Sequence, residues 1–236
     1  MLACLNVCSV GNKSVTLSRL IVDEQLDLLA ITETWHERSE STELRRLTPP
    51  GYRCIDAARP LPPGANVDTL GFRNYGSLAF ICRQSVRLQK KHLDASPTTF
   101  EFLCGSASTA SCHFILLCLY RTDSQALSVI VGELSEVFDE LAIYQGPVLI
   151  CCNFNVHVDV QDDTYAVQLA HPIQCVALFN TSLVAQATHK DGHTLDLVLT
   201  RKDTTACELH VGGLISDHAP VFFRLCAASL LHACSK

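Results

Sequence analysis

The sequence predicts an α+β sandwich, in which helices cover β-sheets built from many short strands. A few helical segments are interspersed with about eight or more strand-like apolar runs. The chain also begins with a strand, a helix and a second strand joined by short links, a pattern typical of layered folds. Its 236 residues, 48% of them hydrophobic and 18% charged, can fill a sizeable core. We expect one domain over residues 1–236, in which the C-terminal ~10 residues could form a tail.

The first strand–helix–strand unit occupies the N-terminal region. The strands are the apolar runs "LACLNV" and "DLLAIT", and the helical segment between them is "NKSVTLSRLIVDEQL". Its apolar residues fit an amphipathic helix loosely: Val15, Leu17, Leu20 and Ile21. Short links between these elements favour a βαβ unit.

The middle of the chain predicts loops followed by a run of strands. Residues 36–75 are rich in proline and glycine, so we expect loops there around a single strand, "YRCIDA". Three apolar runs with short connections come next and predict consecutive antiparallel strands: "SLAFICR", "TFEFLCGSAS" and "CHFILLCLYR".

The C-terminal half contains the clearest helix. Apolar residues form one stripe at helical spacing: Leu127, Ile130, Val131, Leu134, Val137, Phe138 and Leu141. A second helix is predicted at "DDTYAVQLA", with Asp163 as its cap and an interruption at Pro172. The remaining strand-like runs are "PVLICC", "TLDLVLT", "ACELHV" and "VFFRL".

The composition of the chain indicates which classes of protein and which cellular compartment to expect. A net charge of −6 argues against a protein that coats nucleic acid by charge alone, although a nuclease can offset acidic groups with a metal ion. The 13 cysteines are scattered and form no C-x-x-C pair, so we expect reduced, buried thiols without a disulfide framework or structural zinc site. No signal peptide or membrane-spanning segment is recognisable, so we expect a nuclear or cytoplasmic protein.

Several polar side chains stand where predicted strands end, which is where rigid scaffolds present functional groups. Each has an ordinary structural explanation, such as a turn or a helix cap, when it is considered alone. Asp196 differs because it lies inside an apolar strand, and a buried acid needs a partner such as a histidine or a metal. The set comprises Asn6, Glu33, Tyr120, Asn153, Asn155, Asp196, Asp217 and His218.

Together these side chains suit phosphodiester chemistry. A carboxylate such as Glu33 binds a hard cation such as Mg²⁺ through oxygen, and the cation polarises a phosphoryl oxygen. Amides and imidazole donate hydrogen bonds to a charged phosphate. A further carboxylate is needed to take a proton from the attacking water.

The order of the motifs "LN", "ITETW", "LYR", "NFNVH", "TLDLVLT" and "SDHAPV" resembles the endonuclease/exonuclease/phosphatase superfamily. Within it, the chain is most similar to the apurinic-type endonuclease domain of non-LTR retrotransposons of the chicken-repeat or jockey kind. The resemblance extends from Asn6 to about Leu225. It implies a four-layer, DNase I-like α/β sandwich with two mainly antiparallel sheets flanked by helices.

The same resemblance implies a Mg²⁺-dependent endonuclease, with Mn²⁺ as a possible substitute, that nicks target DNA for retrotransposition. Its implied partners are DNA and a reverse transcriptase domain in a longer parent polyprotein. We expect a monomer without membrane association.

The resemblance also assigns residues to the metal side of the site. Glu33 matches the metal-binding glutamate of the family. Asn6 would help to orient the phosphate and the metal shell, and Asp217 would lie near the metal.

On the phosphate side, the resemblance places Tyr120 beside the scissile phosphate. Asn155 matches the asparagine that positions the water or the phosphate. Asp196 would orient His218, which contacts the phosphate. We therefore predict a hydrogen bond between Asp196 and a ring nitrogen of His218.

Two positions depart from the family pattern Gly-Asp-Phe-Asn. Here Cys152 replaces the glycine, and Asn153 replaces the aspartate that activates water. An amide can hold water but cannot accept its proton, and loss of a general base lowers the rate by about 10²–10⁴-fold.

Three hypotheses remain open. The first follows from the resemblance and is a metal-dependent endonuclease that nicks DNA, with an activity that Asn153 could impair. The second is a catalytically inactive remnant of a retrotransposon that retains at most DNA binding. A phospholipid or inositol phosphate substrate is a third, weaker hypothesis, because the chain lacks the clusters of Lys and Arg that such substrates need.

Overall fold

The computed structural model describes residues 1–59, 75–110, 112–121, 127–160, 162–175, 179–182, 184, 186–202 and 204–227. The predicted C-terminal tail therefore lies outside the described residues, as do the predicted loops at 60–74. None of the described helices is long and apolar enough to cross a membrane.

The described elements comprise twelve strands and four helices. In chain order they are β1 (Leu2–Asn6), α1 (Ser14–Asp23), β2 (Leu28–Thr32), α2 (Thr42–Leu47), β3 (Tyr52–Ala57), β4 (Leu78–Arg83), β5 (Arg87–Lys90), β6 (Phe100–Ser108), β7 (His113–Arg121), α3 (Leu127–Ala142), β8 (Val148–Asn153), α4 (Thr164–Cys175), β9 (Phe179–Ser182), β10 (Asp196–Arg201), β11 (Thr204–Val211) and β12 (Val221–Ala227).

The strands form two six-stranded sheets. The first has the order β11-β12-β1-β2-β4-β3, and the second has the order β5-β6-β7-β8-β10-β9. Each sheet has one parallel pair at its centre, β1–β2 or β7–β8, and its other described pairs are antiparallel. A helix connects each parallel pair, α1 in the first sheet and α3 in the second, so the predicted N-terminal βαβ unit is confirmed.

Three apolar clusters define four layers. The central cluster joins the inner faces of the two sheets and includes Phe80, Leu116 and Phe223. An outer cluster packs α3 and α4 on the second sheet, and another packs α1 and α2 on the first. The layers are therefore helix, sheet, sheet and helix, which confirms the predicted sandwich.

The two helices predicted in the C-terminal half are present. The stripe on α3 is buried at Ile130, Leu134, Val137, Phe138 and Leu141, as its spacing predicted. Asp163 caps α4, since its Oδ1 accepts hydrogen bonds from the backbone N–H groups of the second and third helical residues at 2.7 and 3.0 Å.

The prediction that Pro172 interrupts the second helix is wrong. The α4 helix continues through this residue to Cys175. Proline removes one backbone N–H donor, and only the last three residues of α4 follow Pro172.

Two predictions for the middle of the chain were also wrong. Residues 36–75 contain a helix as well as a strand, because Ser41 caps α2 by accepting a hydrogen bond from the N–H of Leu44. The strand β4 does not join β6 and β7; it pairs with β2 and β3 in the other sheet. Its residues are buried on both faces, so their pattern suits the interior of either sheet and does not select the partner strands.

The expectation that cysteines stay reduced needs one correction. Cys207 and Cys226 form a disulfide that joins β11 to β12. The antiparallel pairing of these strands brings the two Cα atoms to 6.5 Å, within the range that a disulfide can bridge. Nine other described cysteines are free, and six of them are buried.

We predict that Phe138→Ala lowers the free energy of unfolding by about 3–5 kcal/mol, because it empties space between α3 and the second sheet. Val129→Ala on the same helix is the control: Val129 is 49% exposed, so its truncation should cost no more than about 0.5 kcal/mol. Urea denaturation measures both values. Equal losses in the two variants would contradict the proposed packing of α3.

Candidate active site

The carboxyl ends of the central strands meet at one end of the sandwich. Asn6 ends β1, and Glu33 follows β2 directly. Asn6 is fully buried, and its Nδ2 donates to Oε1 of Glu33 at 2.7 Å. The other carboxylate oxygen of Glu33 accepts from the indole Nε1 of Trp35 at 3.2 Å. Two donors thus fix the orientation of this carboxylate.

Two site residues adopt left-handed backbone conformations. Glu33 has φ 53° and Asn155 has φ 52°, in a region that side chains other than those of Asn and Asp rarely adopt. Surrounding hydrogen bonds hold both: Ser9 N donates to the carbonyl of Glu33 at 2.8 Å, and Nδ2 of Asn155 donates to the carbonyl of Arg121 at 2.9 Å. The strain at Glu33 persists only where neighbouring structure enforces it, and strain of this kind is concentrated at functional sites.

A chain of three buried side chains crosses the other part of the site. Nδ2 of Asn153 lies 2.8 Å from Oδ1 of Asp196, and Oδ2 of Asp196 lies 2.8 Å from Nδ1 of His218. The predicted contact between Asp196 and His218 is therefore confirmed. Asn153 and Asp196 are directly opposite each other in the antiparallel β8–β10 pair, which explains their proximity.

The amide orientation of Asn153 follows from this contact. Rotating the amide would place its oxygen against the carboxylate of Asp196, so the nitrogen faces Asp196 and the oxygen faces away. That oxygen, Oδ1, is buried and has no hydrogen-bond partner among the described residues. A buried acceptor without a partner indicates a place for a water or a cation.

Tyr120 connects the two halves of the site. It lies beside Asn153 in the parallel β7–β8 pair, and its phenol is close enough to Glu33 and Asn155 to be influenced by both. Burial raises the pKa of the Tyr120 phenol, and the nearby Glu33 carboxylate raises it further, against an opposing effect of Asn155. The phenol therefore remains protonated at neutral pH and acts as a hydrogen-bond donor.

Asp217 lies at the rim. Its carboxylate is 52% exposed and forms an ion pair with Nζ of Lys190 at 2.9 Å. The neighbouring Ser216 donates a hydrogen bond to the carbonyl of Asn6 at 2.7 Å and so attaches this loop to β1. The structure thus brings all eight predicted residues to one end of the sandwich, with Asp217 as the outermost.

Sequence analysis missed a second histidine. The ring of His189 packs edge-on against that of His218, with ring centroids 4.8 Å apart. The adjacent Thr188 is fully buried, and its Oγ1 accepts from the backbone N–H of Asp196 at 3.3 Å. The polar segment "THKDGHT", which precedes β10, could have indicated that His189 and Thr188 lie at the site.

The site contains oxygen donors of the kind that a hard divalent cation binds. Among the described residues, no three His, Cys, Asp or Glu side chains are grouped to hold a metal ion. However, Mg²⁺ commonly binds through one or two carboxylates, with substrate phosphates and waters as its other ligands. The oriented carboxylate of Glu33 and the unpartnered oxygen of Asn153 are donors of the required kind.

The chain is similar to known proteins in its structure. No protein-family model matches the chain, and no curated protein matches its sequence. The endonuclease domain of TRAS1, a telomere-specific non-LTR retrotransposon, is similar in structure with a TM-score of 0.71 and 11% identity, over 96% of this chain and 98% of that chain. The human Nocturnin catalytic domain gives a TM-score of 0.67 and 16% identity, over 96% and 92% of the two chains.

An endonuclease/exonuclease/phosphatase family protein from Bacteroides thetaiotaomicron gives a TM-score of 0.63 and 14% identity, over 95% and 93% of the two chains. The chain therefore has the endonuclease/exonuclease/phosphatase fold, as its motifs predicted. At these identities the likeness establishes the fold, and the reaction has to be inferred from the site.

The Asp217–Lys190 pair gives a pH prediction. The hydrogen bond from Lys190 lowers the pKa of the Asp217 carboxyl, so this group should titrate below its ordinary value of about 3.9. Because the folded-state pKa is lowered, any stabilisation by the pair is present above that ordinary value and is lost as the pH falls through the folded-state value. Lys190→Met should raise the pKa of Asp217, as measured by carboxyl ¹³C NMR titration. An unchanged titration midpoint in the variant would contradict the assigned cause.

Proposed function

We propose that the protein is a metal-dependent phosphodiesterase that nicks DNA, with a rate limited by Asn153. The observation that carries this proposal is the buried Asn153–Asp196–His218 chain at the end of the sandwich that also holds the Asn6–Glu33 pair. An oriented imidazole and an oriented carboxylate in one cleft are the groups that stabilise and position a reacting phosphate.

His218 is the proposed phosphate contact. Its Nδ1 is bonded to Asp196, which fixes the orientation of the ring. The remaining nitrogen, Nε2, is left to contact a phosphate oxygen, to which it would donate a hydrogen bond when the ring is protonated. Asp196 acts through His218 and needs no contact of its own with the substrate.

Glu33 and Asn6 form the proposed metal side, where Mg²⁺ or Mn²⁺ would bind to the Glu33 carboxylate. When bound, the cation would polarise a phosphoryl oxygen and offset the negative charge of the site. Asn6 keeps the carboxylate in place through its 2.7 Å hydrogen bond. Tyr120, as a protonated phenol, and Asn155 would donate hydrogen bonds to the phosphate from the adjoining strand and loop.

In this proposal Asn153 lowers the catalytic activity of the site but stabilises its folded structure. It cannot take a proton from water, but its Nδ2 satisfies one oxygen of the buried Asp196 carboxylate. An aspartate at the same position would put two carboxyl oxygens about 2.8 Å apart. Buried like charges at such a distance cannot both ionise readily, so the amide removes an electrostatic conflict together with a proton acceptor.

DNA is the proposed substrate because of the motif resemblance and the similarity to the TRAS1 domain. A role in retrotransposition, with a reverse transcriptase domain in a longer polyprotein, belongs to the same proposal, as does a monomeric state. A folded remnant that binds DNA without cutting it is the second candidate, and Asn153 is the observation that favours it.

Nicking of supercoiled plasmid in Mg²⁺ tests the hydrolase directly. We expect slow conversion to nicked circles, reduced at least about 10²-fold in Glu33→Ala, because the carboxylate that would bind the metal is then absent. Val15→Ala, an exposed change on α1, is a control for general effects of substitution. If the wild-type protein makes no more nicked circles than Glu33→Ala, the hydrolase proposal fails and the remnant is favoured.

Asn153→Asp should raise the nicking rate by about 10²–10⁴-fold, because it supplies the missing proton acceptor. Repulsion from Asp196 should raise the pKa of the new carboxyl, so the rate should increase with pH through that raised value. The variant should also lose stability as the pH rises, because the unfolded carboxyl ionises before the folded one does. Plasmid nicking and urea denaturation between pH 5 and pH 9 measure both effects, with Asn153→Ala as the control that adds no base. Equal nicking by the wild type and Asn153→Asp would show that residue 153 does not limit the reaction.

A further inference from the structure

Arg121 is a buried cation that has no ionic partner among the described residues. It is the last residue of β7 and is 4% exposed. Its Nη1 donates to the carbonyl of Phe154 at 3.0 Å, whereas its Nε is buried and has no hydrogen-bond partner among the described residues. None of the described carboxylates forms an ion pair with it. Removing such a charge from water is costly unless an anion compensates it.

Arg121 lies outside the cleft that holds Tyr120. Side chains alternate along β7: Cys118 and Tyr120 pack between the two sheets, while Leu117 and Leu119 pack toward α3 and α4. Arg121 follows the same alternation as Leu117 and Leu119, so its side chain lies on the face of the second sheet that packs against α3 and α4. Its backbone still belongs to the site, because its carbonyl accepts the hydrogen bond from Asn155.

An exposed aromatic ring lies next to this cation. The guanidinium carbon of Arg121 is 5.6 Å from the ring centroid of Tyr165, in the first turn of α4. Tyr165 is 52% exposed, so much of its ring faces solvent. Asp163, which precedes this turn, has one carboxylate oxygen committed to capping the helix, and its other oxygen lies 3.7 Å from Nδ1 of His157. A cation can bind a phosphate, and an exposed aromatic ring beside it can stack on the adjoining nucleoside.

We propose that Arg121 and Tyr165 form a second nucleotide subsite, which binds a phosphate and the adjoining nucleoside of the DNA strand next to the scissile phosphate. This inference rests on the proposed function and extends it along the substrate. The guanidinium pairs with the non-reacting phosphate, and the Tyr165 ring stacks on the adjoining base or sugar. The subsite contributes to binding and has no part in the chemical step.

Fluorescence anisotropy with a labelled DNA duplex in Ca²⁺, with the DNA checked for integrity on a gel, measures binding without turnover. We expect Arg121→Met to weaken binding and to reduce the salt dependence of log K by about one unit, because one phosphate contact is lost. Tyr165→Ala should weaken binding at least about fivefold with less change in salt dependence, and Tyr165→Phe should restore it.

Each variant has a matched control. Arg224→Met removes an arginine that is 54% exposed and lines a pocket with Met1 and Asp27, at the other end of β1 from Asn6. Val167→Ala removes a side chain that is 59% exposed on the same helix as Tyr165. Thermal melting identifies any loss of folding in Arg121→Met, and in that case the Tyr165 variants decide the question, because Tyr165 is exposed.

The subsite is refuted if Arg121→Met and Tyr165→Ala bind DNA with the affinity and salt dependence of their controls, or if Tyr165→Phe fails to restore binding. It is also refuted if the wild-type protein does not bind DNA. Binding with the expected dependence on Arg121 and Tyr165 by a wild-type protein that does not nick plasmid would uphold the subsite and overturn the hydrolase proposal.

Discussion

The carboxylate of Asp196 is the constraint around which the cleft is organised. It is 5% exposed, and a buried carboxylate is stable only when its oxygens are paired. One oxygen bonds to Asn153 at the end of β8, and the other bonds to His218 in the loop before β12. Because β8 belongs to one sheet and β12 to the other, this single charged group fixes the second sheet against a loop of the first. The arrangement of side chains in the cleft therefore results from the pairing of both oxygens of the buried Asp196 carboxylate. The same arrangement is the proposed place of the reaction.

The position of the cleft follows from the two parallel strand pairs. The layer between the sheets is filled by apolar side chains, which leaves no space for polar groups except at its ends. A helix returns the chain from the end of β1 to the start of β2, and another does so from β7 to β8. The carboxyl ends of all four strands consequently lie at one end of the sandwich, and the polar residues that follow them converge there.

Elements with a strong periodic pattern could be predicted from the sequence, such as α3 with its buried stripe and the first βαβ unit. The site residues could be predicted because each interrupts or follows an apolar run, as Asn153 does. The sequence does not specify which strands become neighbours in a sheet. The prediction therefore paired β4 with the wrong strands. The Cys207–Cys226 disulfide could not be predicted either, because it depends on the pairing of β11 with β12. The Asn153–Asp196 contact could not be predicted for the same reason, since it arises from cross-strand register. The pairing of Arg121 with Tyr165 likewise depends on where α4 begins relative to the end of β7.

The strand β12 lies between β11 and β1, so the last described strand is an inner strand of the first sheet and pairs with the first strand of the chain. The hydrogen bond from Ser216 to Asn6 spans 210 positions of the chain. Contacts between such distant residues form slowly, because a long loop must close before they gain any stability. During synthesis, β1 exposes an edge of unpaired backbone groups until nearly the entire described chain has left the ribosome. Until then, this edge is available for pairing with other chains, so the protein is most prone to aggregation while it is being made.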